Sequence, residues 1–211
     1  SVELGKRIDK TVTVIEKMDK WEGHLYNWYD TKSLKVLRPA YISTVDSGNF
    51  VGYLMVVEQA LISYLEMPIV DLSLARGLKD TINLLNEDIK EADITIDTTP
   101  IDDFIAEGKA DARSWMSLLA KIDSAIADME MQNTIKKLPW GKRLEAMINS
   151  YKEEMSNLVP MIDVPLDKGK MQSIRVRELL QKSLGNVSLM ELLDIYRNAL
   201  SVIKEDLRDP G

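Results

Sequence analysis

Of the thirteen aromatic side chains in this 211-residue chain, eight fall between Trp21 and Tyr64, with short polar residues interleaved among them. Asn27, Trp28, Tyr29 and Asp30 are consecutive, and Asp46 and Asn49 follow after a turn-rich stretch. Indole and phenol faces beside amides and carboxylates suit a sugar ring, which offers an apolar C–H face for stacking and a rim of hydroxyls for paired hydrogen bonds. These six residues are the candidate substrate-binding set. Trp28 is the expected platform, because adjacent residues in an extended segment point to opposite sides, so one of Trp28 and Tyr29 faces a groove while the other packs inward.

Each has a structural reading beside the chemical one. A long connection needs aromatic anchors of its own. Asp46 is placed to cap a helix beginning near Ser47, and Asp30 to open an Asx turn with Thr31 and Lys32. Asn27 and Asn49 can serve loop backbone groups. Glycoside hydrolysis needs two carboxyl groups flanking one bond, one with a raised pKa. Asp30 and Asp46 are the only pair in such an aromatic setting, and neither is assigned as acid or nucleophile. His24 has no sequence partner and is expected to be packed and hydrogen-bonded. Glu58, inside an apolar run, is expected to meet a Lys or Arg from a neighbouring helix.

Composition narrows the remaining chemistry. The chain has no cysteine and one histidine, which removes disulfides, thiolate chemistry and multi-histidine metal sites. The net charge of −7 argues against nucleic acid or anionic membrane as a partner. Residues 80–111 hold ten acids against Lys90 and Lys109, so this one stretch accounts for the acidity. Asp97, Asp102 and Asp103 lack the spacing and glycine of an EF-hand loop, so no metal and no cofactor is expected, and the stretch reads as a solvated linker. No signal peptide is recognised, and the most apolar window, 50–65, is short for a membrane span.

Helical periodicity governs the elements that must carry these residues. Leu4, Ile8, Val12 and Ile15 predict a helix over 2–21, and the apolar window 47–65 predicts one packed on several sides. Pro68 is expected in the first turn of a third helix with Ala75, Leu78, Ile82, Leu85 and Ile89 inside. Trp115 to Met129 marks a helix over about 110–135. Leu144, Ile148, Tyr151, Met155 and Leu158 alternate by four and three, a seam that suits a partner helix and equally packing on the last helix. A weaker helix is expected near 168–184. Ser188 with Glu191 forms a capping box ahead of the last helix, 189–207. The fold class is all-α, in three parts: a helical part over 1–92 carrying the aromatic loop 22–46, an acidic linker over 93–109, and a helical bundle over 110–211.

The run Gly23-His24-Leu25-Tyr26-Asn27-Trp28-Tyr29-Asp30-Thr31, followed by Tyr41-Ile42-Ser43-Thr44-Val45-Asp46-Ser47-Gly48-Asn49, resembles a block in cyclic β-1,2-glucan synthases. The likeness is concentrated in 22–61 and extends more loosely over 1–90. In that family the block lies between a membrane-embedded glycosyltransferase and a region similar to cellobiose phosphorylase. It opens a glucoamylase-like α/α toroid used for transglycosylation and ring closure.

The resemblance implies a carbohydrate-active protein whose ligand is a β-glucan oligosaccharide. It also implies that this chain is a fragment, inactive alone, whose partners are the other domains of its parent; pairing of the 110–208 helices with a neighbouring domain or a second copy belongs to the interaction-module alternative. A cytoplasmic location, as a soluble segment of a membrane-associated parent, follows from the same likeness. No counterpart of the glycosyltransferase motifs, the phosphorylase-like region or the later block with catalytic carboxylates is found here. A helical interaction module with no ligand site is the alternative reading.

Overall fold

The computed structural model describes residues 2–90, 94–108, 110–127, 135–162 and 173–208. Eight helices and one two-stranded hairpin are present among them, so the chain is all-α. It divides into two compact units, Ser1–Tyr64 and Leu65–Gly211.

The first unit begins with α1 (Val2–Lys17), which stops short of residue 21 because the chain turns into β1 (Lys20–Trp21) and β2 (His24–Leu25). Trp21 pairs with His24, leaving Glu22 and Gly23 as a two-residue connection with φ of 50° and 86°. Positive φ at both central positions suits the right-handed twist of a hairpin, and glycine takes the second without strain. A second, wider return follows, in which Tyr29 bridges Val36 and the Leu37 N–H donates to the Trp28 carbonyl at 3.0 Å.

Helix α2 (Thr44–Glu66) is apolar around most of its circumference, yet none of its residues is buried. It starts earlier than expected. Ser43 precedes it and accepts from the Asp46 N–H at 3.2 Å, so Ser43, not Asp46, caps the helix.

The second unit carries the core. Helix α3 (Leu72–Ile89) begins at Asp71, whose carboxylate accepts from the Ser73 N–H at 2.7 Å. Pro68 therefore lies before the helix rather than in its first turn, bridged to Ser188. The expected inner face of α3 is buried as predicted: Ala75, Leu78, Ile82, Leu85 and Ile89. Within the stretch read as an acidic linker, residues 99–107 form α4 (Thr99–Glu107), with Pro100 in its first turn and Gly108 closing it at φ 65°. Ile101 and Phe104 fall on its inner face, while Asp102 and Asp103 point outward. The many acids hid a one-sided apolar pattern.

Helix α5 (Ala112–Ala125), capped by Asp111, buries Trp115, Leu118, Leu119 and Ile122. Met129 of that stripe and Pro165 of the following break lie outside the described residues. Helix α6 (Pro139–Leu158) absorbs the Pro-Trp-Gly turn as its first turn, with Pro139 where no N–H partner is needed. Its seam packs mainly on α3 and α5, and the last helix reaches only its end, where the Tyr196 hydroxyl donates to the Leu158 carbonyl at 2.8 Å. Trp115 sits at the junction, 5.7 Å from the Phe104 ring and 5.4 Å from the Tyr151 ring. Burial pushes the Tyr151 hydroxyl pKa up, and Glu154 adds to it.

Helices α7 (Ile174–Lys182) and α8 (Leu189–Arg208) pack on each other. The capping box forms as predicted: Ser188 N–H donates to Glu191 Oε2 at 2.8 Å, and Glu191 N–H to Ser188 Oγ at 3.2 Å.

Candidate functional site

Unit one holds a pocket of about 420 Å³, built from the hairpin, the segment that follows it and the first turns of α2. Its walls include His24, Tyr26, Asn27, Trp28, Asp46, Ser47 and Phe50. Of the six sequence-predicted residues, Asn27, Trp28 and Asp46 therefore line one pocket. Tyr29, Asp30 and Asn49 do not.

The separation of Trp28 from Tyr29 follows from the short extended return they occupy. Successive side chains leave opposite sides of such a segment. Trp28 is 64% exposed at the pocket wall. Tyr29 turns the other way, where its hydroxyl donates to the Asp19 carbonyl at 2.6 Å and accepts the Tyr26 N–H at 2.8 Å. Its ring stands edge-on to Tyr26 at 6.3 Å. Tyr29 is thus the anchor of the loop.

Asp30 is likewise spent locally. One carboxylate oxygen accepts from the Lys32 N–H (3.1 Å), the Ser33 N–H (2.6 Å) and the Ser33 hydroxyl (2.7 Å). These bonds, the Ser33 side chain first, hold its pKa below the ordinary value of 3.8. A general acid needs the opposite shift, so Asp30 fits the turn it was alternatively expected to make and not an acid role. The turn also forces Leu34 to φ 57°, a conformation that suits Asn or Gly better than Leu.

Asp46 has the freedom that Asp30 lacks. With Ser43 serving as the cap, the Asp46 carboxylate accepts from Asn27 Nδ2 at 3.2 Å through Oδ2. Among the described residues this is its only side-chain bond. Asn27 in turn accepts the Ser43 N–H through Oδ1 at 2.8 Å, and its own N–H donates to the Tyr41 carbonyl at 2.9 Å. One amide thus ties the loop to the start of α2 and fixes the carboxylate. Asn27 is a brace rather than the open hydroxyl-binding group the sequence suggested.

His24 is exposed at the pocket and its imidazole makes no hydrogen bond among the described residues, so it is not the packed histidine that was expected. Asn49 is exposed on α2 away from the pocket lining. Glu58 is exposed and has no cationic partner among the described residues. Tyr26, Ser47 and Phe50 are pocket residues that the reading of 27–30, 46 and 49 passed over. For Phe50 the signal was helical spacing, since it follows Asp46 by four positions on α2 and so shares its face.

Two carboxylates facing one bond are not assembled here. The pocket offers three aromatic side chains (Tyr26, Trp28 and Phe50), one braced carboxylate and one imidazole, a set suited to holding a polyhydroxylated ligand. A larger open cleft of about 530 Å³ lies between α4 and α5, lined by Asp97, Asp103 and Glu107 with Arg113 and Lys121. No cluster of three or more His or acidic side chains fit for a metal ion occurs among the described residues. No helix among them is long and apolar enough to cross a membrane.

No protein-family profile matches the chain. An alignment of 92 residues that covers 40% of the chain is 36% identical to a cyclic beta-(1,2)-glucan synthase, NdvB, of Rhizobium meliloti (strain 1021). The match spans 3% of that protein's length. It establishes a partial relationship to this glucan synthase.

Proposed function

We propose that the first unit is a glucan-binding element of a protein related to cyclic β-1,2-glucan synthases, contributing to transglycosylation rather than catalysing alone. The observation that carries this reading is the Trp28 face set in the same pocket as the braced Asp46 carboxylate. Trp28 supplies the apolar platform for one sugar face, and Asp46 accepts from the ring hydroxyls. Asn27 holds the carboxylate in place, so little side-chain ordering is left to be done on binding. The relative's printed name supplies the ligand class, a β-1,2-linked glucan.

The reading is tested by titrating β-1,2-linked gluco-oligosaccharides into the chain while following tryptophan fluorescence. Saturable quenching or enhancement without release of reducing sugar supports it. Identical titrations of wild type and Trp28→Ala defeat the site, and sugar release would make the chain a hydrolase in its own right.

A further inference from the structure

The hairpin of the first unit has two sides, and its register decides what stands on each. Lys20 lies opposite Leu25, and Trp21 opposite His24. Side chains directly across an antiparallel pair share a side, about 5 Å apart at Cβ, and the next pair along takes the other. Lys20 orients the first side. Its ammonium donates to the carbonyls of Ile15, Glu16 and Met18 at 2.7, 3.1 and 3.1 Å, so that side addresses the end of α1. Trp21 and His24 share the opposite side. His24 lines the pocket that also holds Trp28 and Asp46, which sets Trp21 at the rim of that pocket. Trp21 is 57% exposed, and neither its indole N–H nor the His24 imidazole has a hydrogen-bond partner among the described residues.

We propose that Trp21 and His24 form a second sugar subsite beside Trp28, so that the first unit takes a run of linked glucosyl units rather than one. The proposal rests on the glucan-binding reading above and adds which residues sense the length of the ligand. Trp21 offers a second apolar face for stacking. An imidazole carries one donor and one acceptor when neutral, the pair that a sugar hydroxyl needs. The backbone supplies the preorganisation. The two-residue turn at Glu22 and Gly23 fixes the spacing of Trp21 and His24, and Lys20 ties the hairpin to α1, so little is left to order on binding. Trp28 belongs to the segment that follows the hairpin, so a unit stacked on it leaves the Trp21 face to a neighbour in the same glucan.

The test is isothermal titration calorimetry of the full chain with β-1,2-linked gluco-oligosaccharides from the disaccharide to the hexasaccharide. Wild-type affinity is expected to rise with length. In Trp21→Ala the longest ligand should bind roughly 3- to 10-fold more weakly and the rise should flatten, with Trp21→Tyr keeping most of it. His24→Ala should weaken the longest ligand in the same sense, whereas Trp28→Ala should weaken every length. The indole N–H resonances of the wild type give a readout that no substitution disturbs. With hexasaccharide, the Trp21 resonance should shift together with that of Trp28. Unchanged length dependence in both Trp21→Ala and His24→Ala, or a Trp21 resonance that stays put at saturation, overturns the second subsite and leaves the Trp28 pocket standing. A wild type that binds no oligosaccharide overturns the subsite and the glucan-binding reading together.

Discussion

Asn27 donates through Nδ2 to Asp46 Oδ2 at 3.2 Å across a separation of 19 residues, while the same amide accepts the Ser43 N–H at 2.8 Å. Two residues that the sequence offers as parallel ligand groups are therefore a brace and the group it braces. Asn27→Ala should leave the Ser43 N–H and one side of Asp46 unpaired, destabilising the first unit by about 1–2 kcal/mol. It should also weaken oligosaccharide binding. Asp46→Asn should leave thermal stability nearly unchanged while binding falls. Thermal melts combined with fluorescence titration of the two variants check both, and equal loss of stability in each would refute the division of roles.

Trp28 and Tyr29 should separate cleanly in mutagenesis. Trp28→Ala removes an exposed face, so stability should shift by less than about 0.5 kcal/mol while sugar affinity falls roughly 2- to 10-fold. Tyr29→Phe deletes the hydroxyl that bonds Asp19 and Tyr26, at a cost of about 1–2 kcal/mol, with affinity changing only through the loop. Urea unfolding and titration of both variants distinguish the platform from the anchor.

Acid should loosen the protein through a small set of carboxylates. Asp30, Asp71 and Asp97 are held below 3.8 chiefly by hydrogen bonds from Ser33, Ser73 and Thr99, and Glu191 below 4.5 by those from Ser188. Their native pKa values are lower than the unfolded ones, so the unfolded chain binds more protons in acid. Their contribution is complete above the ordinary values and is lost as pH falls through the depressed native ones. Urea midpoints should be insensitive to these groups between pH 7 and 6 and should fall below about pH 4. Asp71→Asn, which keeps a cap without the titration, should shrink that fall.

Gly141 marks a tight point in the second unit. A Cβ there would land on the carbonyl oxygen of Ile135. Ordinarily alanine is the better residue inside a helix. Here backbone must move, so Gly141→Ala should destabilise by about 1–3 kcal/mol instead of stabilising. Alanine at the exposed Gly48 of α2, where space is open, should follow the ordinary rule and stabilise modestly. Thermal midpoints of the two variants that move in the same direction would contradict this.

The helices of this protein were legible in sequence because a helix is specified by neighbours three and four positions away. The stripe of α3, the alternation of α6 and the reciprocal bonds of Ser188 and Glu191 all lie within that range, as does the turn made by Asp30 with Lys32 and Ser33. The all-α class follows from the same local signals. What the chain could not announce is which of several similar side chains would be spent where. Asp30 and Asp46 look alike in the sequence, but a bond from Asn27 and a cap supplied by Ser43 leave one carboxylate at a pocket and bury the other's capacity in its own turn. The partners of α6, the inward face of α4 beneath its acids and the bare surface of α2 depend on contacts between residues far apart in the chain. Those contacts are set by how whole faces fit against one another, a property of the packed molecule that no window of local spacing contains.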